Sequence, residues 1–160
     1  MTNPKAVVPL ATSRYQNTSL IIDSGFVPVR ITLGPPRWKL GYTLNGQIKI
    51  LAPSRWIFAI KDEVEFDEAY RKQLDEHGVD QIAAEIGRVS GAFGDRGLVL
   101  LCFEDILKLG EMSCHRRSFA RWWEERTQQT VPELWWPDIR ARDQREEDTN
   151  EQPNRRQSKR

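Results

Sequence analysis

Residues 98–105 read Leu98-Val99-Leu100-Leu101-Cys102-Phe103-Glu104-Asp105, and the chain returns at 113–125 as Ser113-Cys114-His115-Arg116-Arg117-Ser118-Phe119-Ala120-Arg121-Trp122-Trp123-Glu124-Glu125. The first run has no polar alternation until it meets Glu104. A short, unbroken apolar run of this kind predicts a strand buried on both faces, at the centre of a mostly parallel sheet. Ser113 suits the N-cap of a helix over 114–126. Phe119, Trp122 and Trp123 then form its buried stripe, with Arg117, Arg121 and Glu124 nearer solvent.

Working outward from this strand, the remaining elements alternate. Residues 6–11 predict a first strand, in which Pro9 indicates an edge position or an irregular start, closed by the polar turn Thr12-Ser13-Arg14. A brief helix over 17–23 stops at Gly25, and 26–32 predicts a second strand. Asn45-Gly46, flanked by alternating residues over 42–51, is a hairpin signal. Helices follow over 63–77, stopped by Gly78, and over 80–89. The alternation predicts an α/β fold: one three-layer domain with a mostly parallel central sheet over 1–138, and a disordered, charged tail over 139–160.

Composition narrows the function classes. The chain has 160 residues and a net charge of +1, so no global basic field calls for nucleic acid and no acidic field excludes it. Its two cysteines make no secreted disulfide framework, which points to a reducing cytoplasm. No stretch has the length and apolarity of a membrane span, and the start of the chain, interrupted by Pro9, does not form a signal peptide. No membrane partner is expected, and the sequence names no protein partner.

In an open parallel sheet, ligands bind beyond the carboxyl ends of the strands. Ser13, Arg37, Trp38 and Glu104 all fall there, and the start of the Cys114 helix should face the same crevice. Arg37 beside Trp38, after Gly34-Pro35-Pro36, forms either an anion and base-stacking platform or a loop whose Trp38 plugs the core edge. Arg30 is either a surface arginine on an edge strand or an anion ligand. Cys114 at a helix start, beside His115 and Arg116, has its thiolate favoured, or is simply a small packed residue. A helix dipole disfavours cations at its start, so Arg116 and Arg117 require an anion there: Glu104 from within, or a phosphate from outside. Glu104 itself is either an acid–base group of raised pKa or a structural partner for arginine.

Three templates fail. A cysteine-dependent phosphatase needs arginine where Ala120 stands. A zinc site would have to combine His77, Cys102, Cys114 and His115, without any Cys-x-x-Cys pair. The glycines at 91, 94 and 97 precede a strand and open no helix, so they make no dinucleotide loop. No metal and no cofactor is expected.

Gly34, Pro36, Arg37, Trp38 and Tyr42, then Ala52-Pro53, then Leu100-Leu101-Cys102 with Glu104, then Cys114-His115-Arg116 form a series that resembles the domain of unknown function 488 family. The resemblance runs over about residues 11–123, with a longer linker at 105–113. It implies an α/β fold with these motifs gathered at one site, and a link to DNA repair. The residues together point to an enzyme acting on a nucleic-acid base or nucleotide. Glu104, Cys114 and His115 would be its catalytic groups, acting at an N-glycosidic bond or in DNA modification chemistry. Ser13, Arg30, Arg37, Trp38, Tyr42, Arg116 and Arg117 would hold the DNA or nucleotide. The alternatives are a non-catalytic nucleic-acid or nucleotide-binding module and a protein-interaction adaptor built on the tryptophan pairs Trp122-Trp123 and Trp135-Trp136 and on the tail over 139–160.

Overall fold

The computed structural model of the chain describes residues 7–103 and 115–134. The buried run is central, as its composition requires. Strand β4 (Leu98–Cys102) is buried along its whole length. It lies between β1 (Leu10–Arg14) and β2 (Val27–Arg30), both parallel to it. A two-residue strand, β3 (Gly46–Gln47), adds in parallel to β2, giving a four-stranded, all-parallel sheet in the order β1-β4-β2-β3.

The remaining elements are helices: α1 (Thr18–Ser24), a 3-10 turn at Lys49–Leu51, α2 (Arg55–Phe58), α3 (Glu63–His77), α4 (Val79–Ala92) and α5 (described from His115 to Thr127). Gly25 and Gly78 end α1 and α3 as the sequence suggests. Both take positive φ, of 70° and 81°, where a side chain would be strained. The side chain of Asp62 caps α3 by accepting from the Glu65 N–H.

Side chains alternate along each strand, so the sheet has two distinct faces. On one face Leu10, Val27, Val29, Leu98 and Leu100 pack with Tyr70, Leu74, Ile82, Ile86, Phe119 and Trp122 from α3, α4 and α5. On the other, Ala11, Tyr15, Val99 and Leu101 pack with Ile21 of α1 and with Leu40, Tyr42, Leu44 and Phe103. Helices thus cover both faces, giving the three layers. The second cluster draws its strand residues from β1 and β4, and none from β3.

Two local expectations are corrected. The first strand is displaced toward the C-terminus, so Thr12 and Ser13 lie inside it and do not form a turn. They are tolerated because a later segment serves them. Thr12 N–H donates to the Pro132 carbonyl, the Leu134 N–H donates to the Thr12 carbonyl, and Ser13 Oγ donates to the Leu134 carbonyl at 2.7 Å. This segment covers the outer edge of β1. Asn45-Gly46 also makes no hairpin, because Gly46 lies in β3, opposite Val29. A Cβ there would come within 2.9 Å of Val89 Cγ1, so this glycine is required by close packing against α4.

Candidate functional site

The residues proposed for one crevice divide between the two faces of the sheet's carboxyl end. On the α5 face the groups are closed upon one another. Arg116 is 1% exposed. Its Nε donates to Glu133 Oε1 at 2.7 Å and its Nη1 to Cys102 Sγ at 2.8 Å. Arg117 donates from Nε and Nη2 to Glu133 Oε2 at 3.2 and 3.0 Å. Glu133, 11% exposed, is therefore an internal carboxylate held by two guanidiniums. The anion demanded by two arginines at a helix start is thus present inside the protein. It comes from beyond the helix. Glu104 and Cys114 lie outside the described residues.

His115 is also buried. Its Nε2 is 3.0 Å from the Ile31 carbonyl, and its ring meets Tyr70 edge-on with centroids 5.8 Å apart. The Tyr70 hydroxyl in turn donates to the Leu51 carbonyl. Gln73 completes this corner: its amide donates to the Ile50 and Ala52 carbonyls and accepts from Ser54. The Ala52-Pro53 motif is thereby clamped to α3. Trp122 and Trp123 are 1% and 5% exposed, so that tryptophan pair is core and offers no adaptor surface. Trp135-Trp136 lies outside the described residues. Trp56 and Phe58 on α2 are the large aromatic side chains that do face solvent here.

The opposite face is different. Ser13 is fully buried and also accepts from the Asn17 side chain, so its hydroxyl is used internally. The Tyr15 and Phe103 rings pack at a tilt with centroids 4.8 Å apart, and Trp38 meets both rings edge-on at 6.5 and 5.8 Å. Trp38 remains 44% exposed, and Arg37 beside it is exposed. Trp38 thus both closes the core edge and presents a ring to solvent. The Tyr15 hydroxyl is 2.8 Å from Thr32 Oγ1, and the Tyr42 hydroxyl donates to the Tyr15 carbonyl. Burial, reinforced by neighbouring Tyr15, holds the Tyr42 phenol well above its ordinary range. Tyr42 is therefore a neutral donor that fixes the loop.

Leu44, which packs against the cluster containing Tyr15, also lines a shallow, open cleft of about 330 Å³ together with Arg30, Asn45, Gly46 and Gln47. Arg30 and Gln47 are register partners, so both side chains leave the sheet on the same face. The Gly46 Cβ direction points the other way, toward Val89, which places its neighbours Asn45 and Gln47 on the cleft side. Arg30 Nε is buried without a hydrogen-bond partner. A buried donor of this kind carries a desolvation cost that its neighbours in the fold do not offset.

Asn45 and Gln47 escaped notice in the sequence because Asn45-Gly46 has the form of a turn. Glu133 carries no motif at all. The requirement of Arg116 and Arg117 for an anion was its one signal. Among the described residues, no three His, Cys, Asp or Glu side chains gather as metal ligands, and no helix is long and apolar enough to cross a membrane. No family model matches the chain, and neither does any curated protein or solved structure.

Proposed function

We propose that the protein is a binding module for phosphate-bearing ligands of nucleic-acid type, nucleotide or nucleic acid, and that the cleft at Arg30 receives the phosphate. The observation that carries this reading is the contrast between the arginines. Arg116 and Arg117 have Glu133, whereas the buried Nε of Arg30 has no partner. An arginine presents a planar fork of donors suited to phosphate, and an unspent one at the carboxyl end of a parallel sheet lies where such ligands bind. Arg37, on the loop that follows β2, adds a second exposed cation, and the exposed ring of Trp38 beside it offers a stacking surface for a base.

The test is binding of nucleotides and short single-stranded DNA to wild type and to Arg30→Met at several salt concentrations. Binding that weakens with salt and falls about tenfold or more in Arg30→Met supports the reading. Equal binding by both proteins refutes it. The enzyme reading stands second, favoured by one observation: Phe103, which immediately precedes Glu104, packs its ring against Trp38. It requires Glu104→Gln to abolish turnover of a bound nucleotide or nucleic acid while leaving its binding intact.

A further inference from the structure

The proposed phosphate site has polar neighbours whose chemistry defines its ligand more narrowly. Asn45 and Gln47 line the same cleft as Arg30. Among the described residues, the hydrogen bond made by Asn45 is from its backbone N–H to the Pro28 carbonyl, which leaves its side-chain amide, like that of Gln47, unengaged. Each amide offers a donor and an acceptor in one plane, the pattern that pairs with the edge of a nucleobase.

The spacing is also suitable. Arg30 and Gln47 sit opposite each other on adjacent strands, roughly 4.8 Å apart, and Asn45 is two residues back, roughly 6.5 Å along the strand. This sets a cationic fork beside two amides across a distance of about one nucleotide. The depression is shallow and open, about 330 Å³ in volume, so a ligand there would be held by the polar groups of its floor and would not be enclosed. A parallel sheet ordinarily has both faces covered, and on this face the packed cluster draws on β1 and β4 but not on β3. Leu44 at the cleft wall belongs to that cluster, giving a ligand one apolar side.

We infer that the cleft is a mononucleotide site, in which Arg30 takes the phosphate and the side-chain amides of Asn45 and Gln47 take the edge of the base. The inference rests on the phosphate-binding reading of Arg30 and adds to it a ligand class and a specificity device. A single nucleotide is the ligand; a strand is not required.

The experiment is calorimetric titration of the full chain with AMP, GMP, CMP, UMP, inorganic phosphate and a twelve-residue single-stranded DNA. Wild type, Arg30→Met, Arg30→Lys, Asn45→Ala and Gln47→Ala are compared after circular dichroism has checked that each folds. At least one nucleoside monophosphate should bind more tightly than inorganic phosphate. Arg30→Met should lose about ten- to a hundredfold of that affinity. Arg30→Lys, which keeps the charge but not the fork, should lose less. Asn45→Ala and Gln47→Ala should each lose about fivefold or more for the preferred base and leave phosphate binding unchanged.

DNA binding that depends on Arg30, with no binding of mononucleotides, would overturn the mononucleotide site and leave the phosphate reading standing. Nucleotides that bind no better than phosphate, or amide variants that lose nothing, would overturn the base-reading role. An absence of any binding, or binding indifferent to Arg30, would sink both.

Discussion

Removing the carboxylate of Glu133 should destabilise the fold markedly, because it serves a buried guanidinium. Arg116 is almost wholly enclosed, and Glu133 Oε1 accepts from its Nε at 2.7 Å. In Glu133→Ala the buried guanidinium loses the carboxylate that its Nε donates to, and removing one member of a buried pair costs about 3–5 kcal/mol. The second carboxylate oxygen serves Arg117, which is partly exposed and can turn to water, so its loss adds little. Glu133→Gln retains one acceptor for Arg116. A hydrogen bond to a charged group contributes about 1.5–3 kcal/mol, which reduces the expected loss to about 2 kcal/mol. In a chain of this size each kcal/mol moves the melting temperature by about 2–4 °C, so the alanine variant should melt roughly 6–20 °C below wild type. Urea denaturation gives the free energies directly. The double variant Arg116→Met/Glu133→Leu removes both charges and should recover much of the loss, because an apolar pair of similar volume avoids the desolvation penalty. A loss below about 1 kcal/mol in Glu133→Ala, or a double variant less stable than the single, would show that Arg116 is not held as described.

Gly46→Ala would put a methyl group within 2.9 Å of Val89 Cγ1, and overpacking of this kind costs about 1–3 kcal/mol. Adding Val89→Ala should restore part of that loss in a denaturation series, whereas simple additivity would rule out the steric explanation. The Thr12 hydroxyl is buried without a partner, so Thr12→Val should raise stability by about 1 kcal/mol, and a lower melting temperature would mean that the hydroxyl has a use the structure does not reveal. The Asp75 carboxyl is held below its ordinary value of 3.8, first by the hydrogen bond from Trp122 and then by Arg126. A group whose folded pKa is depressed stabilises above its unfolded pKa and loses that contribution as the pH falls through the folded one. Wild type should therefore lose stability on acidification below about pH 4 more steeply than Asp75→Asn, and parallel pH profiles would contradict this.

How much of this was legible in the sequence depends on how local each cause is. The centrality of β4 follows from Leu98 to Cys102 alone, since an unbroken apolar run must be covered on both sides. The ends of α1 and α3 follow from Gly25 and Gly78, each acting on its own turn. The end of β1 lies later than its sequence suggests, because Thr12 and Ser13 look like turn residues until Pro132 and Leu134 satisfy them from more than a hundred residues away. Gly46 misled for the same reason. Beside Asn45 it reads as a turn, and only the later helix α4, through Val89, reveals a packing requirement. The described strand residues expected in the crevice, Ser13 and Arg30, lie toward the carboxyl end of their strands. The division of the crevice into two faces, however, depends on strand register, which a shift of one residue reverses.

Arg30 and Arg116 show how register gives two like residues different surroundings. Both are arginines at the carboxyl end of the same sheet, and residue type alone gives them the same claim on a phosphate. Arg116 enters on the face packed by α3, α4 and α5, where burial makes an unpaired charge so costly that the fold supplies Glu133. Arg30 leaves on the other face, beside Asn45 and Gln47, where the packed cluster does not draw on β3 and the buried Nε has no internal acceptor. The better-satisfied cation is therefore the weaker candidate for binding, since any external anion would have to displace a carboxylate already in place. An arginine that the fold leaves unsatisfied can gain from a ligand what Arg116 already gains from Glu133. That difference shifts the candidate site from the cysteine–histidine–arginine helix start to the cleft beside β3.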